Sequence, residues 1–264
     1  MSGIMNAMVG MRSTAFDPSK LPTVKAWWSP DYGVTKDGSN RVSAWADKIG
    51  GHTPVQATAA SQPLWVANAA SMLGGTRPLV HFDSNARYLE MAAFPSSLPL
   101  GTDETWLWGA SRMTATGSVW TPAIIGYGGH RGIGYGGSNW SSQSPYPVNY
   151  FAVMRSGGSD AFQAAPSMIT NAIVGARFGS TGIIGRRNGA QVGTSSDGTS
   201  ITSGNLRLGR RTNGSDNIIG YVGDIVVTGA LTSAEVEKLE GWYAWRYDQT
   251  SLLPSGHPYK TKRP

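Results

Sequence analysis

The stretch "GYGGHRGIGYGGSNWSSQSPYPVNY", residues 126–150, concentrates the residue types that recognise sugars. Flat aromatic faces pack on the apolar side of a sugar, while guanidinium, amide and imidazole groups hydrogen-bond its hydroxyls. Trp140, Tyr127, Tyr135 and Tyr146 supply the faces, and His130, Arg131 and Asn139 the polar partners. These seven residues form the candidate carbohydrate-binding site. The same residues have a competing use, because alternate aromatics can fill the interior of a sandwich while glycines merely turn the chain.

Catalytic chemistry is harder to assemble from this sequence. Glycoside hydrolysis needs two carboxylates flanking the scissile bond. The five glutamates are Glu90, Glu104, Glu235, Glu237 and Glu240, and the last three share one helical segment. Asp103 and Glu104 are adjacent, so on a strand their side chains point to opposite faces. His52, His81, His130 and His257 are scattered, no Gly-x-Ser-x-Gly elbow occurs, and no histidine pair has metal-ligand spacing. The expectation is a protein without catalytic activity and without a required cofactor or metal.

These residues must be positioned by strands. Thirty-five glycines, fifteen prolines and only 14% charged residues favour one large β-sandwich over a helical protein. With no cysteine, stability must come from packed side chains rather than disulfides or thiolate metal sites. "VKAWWSPDYG" reads as a strand entering a turn, and "ETWLWGASRM" as a core strand. "RPLVHFDSNARYLEM" alternates on either side of a turn at Asp83-Ser84-Asn85. "GIIGRRNGAQVG" predicts a hairpin whose Asn188-Gly189 turn needs positive φ at both central residues.

Near the end, "LTSAEVEKLEGWYAWRY" predicts one aromatic helix. Thr232 and Glu235 form a capping box, Leu231 and Val236 a hydrophobic staple, and Val236, Leu239, Trp242, Tyr243 and Arg246 fall on one face. Such a face must cover a sheet. Residues 1–22 read as an N-terminal docking arm, 23–250 as the globular domain, and 251–264, ending in "PYKTKRP", as an extended basic tail.

The net charge of +6 sits in residues 105–222, which hold nine arginines, no lysine and three aspartates. An acidic partner surface would suit this balance, although a solvated arginine-bearing sheet explains it as well. The arginines lack interleaved aromatics in a nucleic-acid-binding motif, so no nucleic acid partner is expected. No run approaches the ~18 apolar residues of a membrane-spanning helix, and the first residues make a poor secretory signal.

As a set, "AWWSPDYGVTKDGSNRVSAWADKIGGHTPVQATAASQP", "TRPLVHFDSNARYLEM", the segment from "NLRLGRR" to "EGWYAWRY" and the closing "LPSGHPY" resemble the concanavalin A-like lectin/glucanase superfamily in its laminin-G-like form, as found in phage virion and bacterial surface proteins. Trp45-Ala46-Asp47, Phe82-Asp83 and Gly223-Asp224-Ile225 are the matching positions. The resemblance implies an all-β fold, a two-sheet antiparallel β-sandwich or jelly roll, with one C-terminal α-helix packed on it. A hydrolase of this superfamily would carry Glu-x-Asp-x-Glu on one strand, which is absent. Laminin-G-like modules also suggest calcium, for which Asp31, Asp37, Asp47 and Asp83 lie in turns, but turn aspartates more often bond their own backbone.

A lectin-like domain made without an export signal would meet host-surface glycans if it were assembled onto a phage particle in the host cytoplasm and released by lysis. The function expected is therefore a non-enzymatic capsid or tail decoration protein on the virion surface. It would dock on other virion subunits through arm and tail as a homo-oligomer. The alternative is a free carbohydrate-binding or glycan-cleaving protein of the same superfamily.

Overall fold

The computed structural model describes residues 15–67, 73, 76–84, 86–99, 101, 103–115, 123–129, 131–135, 150–155, 158–164, 170–196, 204–212 and 217–264. Among the described residues, sixteen strands and one α-helix follow one another: β1 Val24–Trp28, β2 Val34–Lys36, β3 Val42–Trp45, β4 Leu64–Val66, β5 Leu79–Phe82, β6 Leu89–Met91, β7 Thr105–Met113, β8 Ala123–Tyr127, β9 Arg131–Tyr135, β10 Tyr150–Arg155, β11 Gly158–Ala164, β12 Ala172–Gly179, β13 Gly182–Arg187, β14 Ala190–Ser195, β15 Leu206–Leu208, β16 Gly220–Thr228 and α1 Ser233–Arg246. The larger antiparallel sheet runs β14-β13-β12-β7-β16-β5-β4, with β1 also paired to β16. The smaller runs β11-β10-β9-β8-β15-β6, and β2 pairs with β3. The fold is the all-β sandwich with one C-terminal helix that the sequence led us to expect.

Two apolar layers hold it together. Leu107, Met113, Val174, Phe178, Val222 and Val227 of the larger sheet meet Leu89, Ile125, Ile133, Phe151 and Leu208 of the smaller one. On the opposite face of the larger sheet, Trp106, Trp108, Ala110, Ile173 and Val226 pack under Val236, Leu239, Trp242 and Tyr243 of α1. Strand β7 therefore reads "TWLWGASRM" without clean alternation, because both of its faces are covered and the period of two has no solvent side to mark. Gly175 on β12 leaves room for the Trp108 ring, which would lie 2.4 Å from a Cβ at that position.

The helix forms as its sequence predicts. Thr232 and Glu235 close the capping box, and Leu231 and Val236 pack into the same cluster. What fixes its position is polar. Strand β16 shifts register between Val222 and Ile225, so that both face the sandwich core despite their odd spacing, and the intervening Asp224 turns toward the helix. Its buried carboxylate accepts from Trp27 Nε1 at 2.7 Å, from the Arg246 guanidinium and from the Tyr247 hydroxyl, while its backbone N–H donates to that hydroxyl at 2.6 Å. Tyr243 donates its hydroxyl to Asp224 O at 3.3 Å. Burial opposes the charge of Arg246, but Asp224 beside it holds the guanidinium firmly protonated. At Gly223 a Cβ would lie 2.3 Å from the Tyr247 oxygen, so the network requires glycine there.

A second tie joins α1 to β13. Buried Glu240 takes both Arg186 Nε at 2.8 Å and a terminal Arg186 nitrogen at 3.1 Å, and His257 Nε2 lies 3.4 Å away. This draws the tail down. The expected extended tail is corrected: Trp245 Nε1 bonds the carbonyls of Tyr259 and Lys262 at 2.9 Å each, and Tyr259 packs against Gly241. Of the expected docking arm, residues 1–14 lie outside the described residues. Phe16 and buried Leu21 of its remainder pack into the helix-side cluster.

The hairpin turn at Asn188-Gly189 has φ of 51° and 82°, positive at both positions as predicted. Strands β5 and β6, flanking the turn at Asp83, enter different sheets.

Asp224→Ala leaves Arg246 buried without its main partner, and we expect a loss of about 3–5 kcal/mol in chemical denaturation. Burial also pushes the phenols of Tyr127, Tyr135, Tyr243 and Tyr247 upward. Above about pH 10 the unfolded chain releases protons that the folded chain keeps, so stability present below that pH falls as pH rises. Alkaline titration should show the tyrosinate absorbance of these four residues appearing together with loss of the tertiary fold, rather than before it.

Candidate functional site

Three of the seven sequence-predicted site residues are described, and all three point inward. Tyr127 packs edge-on against Phe94, with ring centroids 4.7 Å apart, and donates its hydroxyl to Pro99 O at 2.9 Å. Tyr135 shares a hydrogen bond with the Ser111 hydroxyl. Arg131 is 3% exposed, with its guanidinium 5.0 Å from the Phe178 ring centroid. None of the three offers a face to a ligand. His130, Asn139, Trp140 and Tyr146 lie outside the described residues. The signal for burial was in the sequence: in Gly132-Ile133-Gly134-Tyr135 glycines take alternate positions, so every bulky side chain falls on one face, the face that meets the core.

A different group of residues surrounds a cavity of about 750 Å³ among the described residues. Arg112 near the end of β7, Asn171 before β12, Arg187 and Asn188 at the β13 turn, and Gln249 and Ser251 after the helix line it. Asn171 Oδ1 accepts from Leu73 N at 3.1 Å and Asn188 Oδ1 from Ile173 N at 2.9 Å, which leaves their amide NH2 groups as donors. Arg187 is 8% exposed. One of its terminal nitrogens reaches Thr170 Oγ1 at 3.4 Å, and its Nε has no hydrogen-bond partner among the described residues. Burial lowers the pKa of its guanidinium, with the Tyr135 phenol acting the other way. No carboxylate lines this cavity among the described residues. A polar, donor-rich chamber of this size fits a small ligand rich in acceptor oxygens, and planar guanidinium forks bind carboxylates in particular.

Sequence reasoning counted Arg112 and Arg187 only as charge. Their partners come from chain segments up to about 140 residues apart, and nothing local marks them as a group.

Glu104 and Glu237, which the sequence assigned to unrelated elements, line one further cavity of about 410 Å³ together with Trp106, Arg177 and Gln191. Glu104 accepts from Trp106 Nε1 at 3.1 Å and lies 4.0 Å from Arg177. The four turn aspartates are engaged by the protein: Asp31 by Arg246 and Lys48, Asp37 by the backbone of Ser39 and Arg41, Asp47 by the 49–52 backbone, and Asp83 by Arg87.

No family model matches the sequence, and no curated protein matches it. Solved structures do share its fold. Domain 4 of AbnA, a GH43 extracellular arabinanase from Geobacillus stearothermophilus in complex with arabinotriose, aligns with a TM-score of 0.53 and 11% identity over 83% of this chain and 98% of its own. Trypanosoma rangeli sialidase in complex with sialic acid aligns with a TM-score of 0.53 and 11% identity over 86% of this chain. An arabinofuranosidase complexed with arabinofuranosyl-alpha-1,2-xylobiose aligns with a TM-score of 0.56 and 12% identity over 77%. The chain thus spans nearly all of the arabinanase domain, but 33% of the sialidase and 50% of the arabinofuranosidase.

These neighbours overturn the expectation that the chain is not an enzyme. Each belongs to a glycoside hydrolase, so the fold gives no ground for setting catalysis aside, and the structure brings together carboxylates that the sequence kept apart. At these identities the likeness establishes the fold alone.

Proposed function

We propose that this chain is a carbohydrate-binding β-sandwich domain that takes an acidic saccharide in the cavity between Arg112 and Arg187. The observation that carries the reading is the composition of that chamber, with two guanidiniums, three side-chain amides and no carboxylate among the described residues. The saccharides named with the structural neighbours, sialic acid and two arabinose-containing oligosaccharides, support a carbohydrate ligand. The choice of an acidic one rests on charge. Among the described residues no carboxylate pairs with buried Arg187, and a buried guanidinium is costly to hold without a counterion, so a ligand carboxylate would offset that penalty.

Arg187→Met separates this role from a structural one. Removing a buried charge while keeping an apolar side chain of similar length is expected to leave the melting temperature unchanged or higher. On a glycan array and in titration calorimetry, the same variant should lose about tenfold or more in affinity for carboxylated saccharides, as expected for a charged hydrogen bond. Wild-type affinity for neutral glycans equal to that for carboxylated ones, or carboxylated-saccharide binding that the variant retains, would sink the assignment.

The wider setting proposed is the surface of a phage particle, with residues 1–22 engaging another virion subunit. It rests on the sequence resemblance and on the small, aperiodic character of that segment. Deletion of residues 1–14, which spares Phe16 and Leu21 in the core, should abolish incorporation into particles while leaving the melting curve intact. Unchanged incorporation would remove that segment from the proposal.

A further inference from the structure

The loop between β3 and residue 52 and the turn that follows β6 bring together an aspartate, a histidine and a serine that no sequence motif connects. Asp47 accepts from three backbone N–H groups of its own loop, Ile49 at 3.3 Å, Gly50 at 2.9 Å and His52 at 2.7 Å. Its Oδ2, which also takes the Ile49 and Gly50 N–H groups, lies 3.3 Å from His52 Nδ1. On the other side of the ring, His52 Nε2 lies 2.7 Å from Ser97 Oγ. Asp47 and His52 are buried, whereas Ser97 is exposed. We propose that Ser97, His52 and Asp47 form a nucleophile, general base and orienting carboxylate that hydrolyse small-acyl carboxylic esters.

Proton placement follows from the partners. Burial alone would raise the Asp47 carboxyl, but hydrogen bonds from His52 and the loop backbone hold it below its ordinary range, so it is ionised and can only accept. That places the ring proton on Nδ1 and leaves Nε2 to accept the Ser97 hydroxyl proton. The position of His52 is closely defined: its carbonyl accepts from Trp28 Nε1 at 3.2 Å and from Asp47 N at 3.0 Å. Its ring lies where a Cβ on Gly50 would come within 2.2 Å of Cε1. Ser97 occupies the third position of the turn Pro95-Ser96-Ser97-Leu98, closed by Leu98 N to Pro95 O at 3.1 Å. Phe94 on Tyr127, the Tyr127 hydroxyl on Pro99 O, and buried Leu98 anchor this turn on both sides. Both partners are thus held by the core while Ser97 itself is exposed, the arrangement a nucleophile needs.

In the reaction, Ser97 Oγ attacks the ester carbonyl carbon and its proton passes to His52 Nε2. Collapse of the tetrahedral adduct breaks the carbonyl carbon–alkoxy oxygen bond, and the departing alcohol takes that proton, leaving an acyl-serine. Water then attacks the acyl carbon, gives a proton to His52, and releases the carboxylic acid as the proton returns to Ser97. The Leu98 N–H is committed to Pro95 O, so the acceleration expected is that of base-assisted attack, about 10²–10⁴-fold. This activity is independent of the Arg112–Arg187 cavity.

The test uses the full chain with a fluorophosphonate probe, intact-mass analysis and p-nitrophenyl acetate. Wild type should form a single adduct that peptide mapping places on Ser97. Ser97→Ala, an exposed change expected to keep the melting temperature, should abolish the adduct and lower kcat for ester hydrolysis about 100-fold or more. Asp47→Asn, a positioning change, should slow labelling and lower kcat with little effect on KM, provided its melting curve shows a folded protein. Absence of an adduct on folded wild type, an adduct elsewhere, or ester hydrolysis equal in wild type and Ser97→Ala overturns the proposal.

Discussion

A fully buried carboxylate has to be satisfied on every side, and that of Asp224 is satisfied by Arg246 and Tyr247 at the helix end together with Trp27 of the neighbouring strand, while Tyr243 bonds the Asp224 backbone carbonyl. Desolvating that charge is costly unless the partners are correctly placed, so the network acts as a geometric constraint as well as an attraction. It sets the rotation and longitudinal position of α1 on the larger sheet. The bulge in β16 that turns Asp224 toward the helix, and the glycine beside it that admits the Tyr247 oxygen, are local conditions for meeting that constraint.

From the position of the helix follows the path of everything after it. Glu240, held by Arg186, brings His257 close, and Trp245 receives the backbone of the last residues. The segment at Gln249 and Ser251 is thereby laid along the β13–β14 hairpin, where it closes one wall of the arginine-lined cavity. The proposed saccharide site is thus a by-product of how the helix is clamped. The same buried ties that stabilise the fold also preorganise the donors, which lowers the ordering cost of binding.

The proposed ester-cleaving group is positioned differently. Its orienting carboxylate and base belong to one short loop near β3, and its nucleophile to a turn after β6 on the edge of the smaller sheet. Tyr127, expected to stack on a sugar, instead braces that turn from inside the sandwich through Phe94 and Pro99. An aromatic residue can thus serve a surface site without touching the ligand, by fixing the backbone that carries the reacting atom.

Local rules made much of the fold legible in the sequence. The capping box at Thr232 and Glu235, the positive-φ turn at Asn188-Gly189 and the central strand "ETWLWGASRM" each depend on a few consecutive residues, and each forms as expected. The sites were not legible in that way. Alternate glycines marked the buried face at Tyr135, but whether Tyr127 faced a ligand or the core depended on which face of β8 met the other sheet. The company kept by Arg187, Glu104 and Ser97 depended on strands and loops far apart in the chain. By itself, the sequence determined the class of fold, the helix and its caps, because backbone conformation and hydrophobic periodicity act over a few residues. Only the tertiary structure decided which polar groups meet, because side chains far apart in the chain become neighbours through sheet register and helix docking alone.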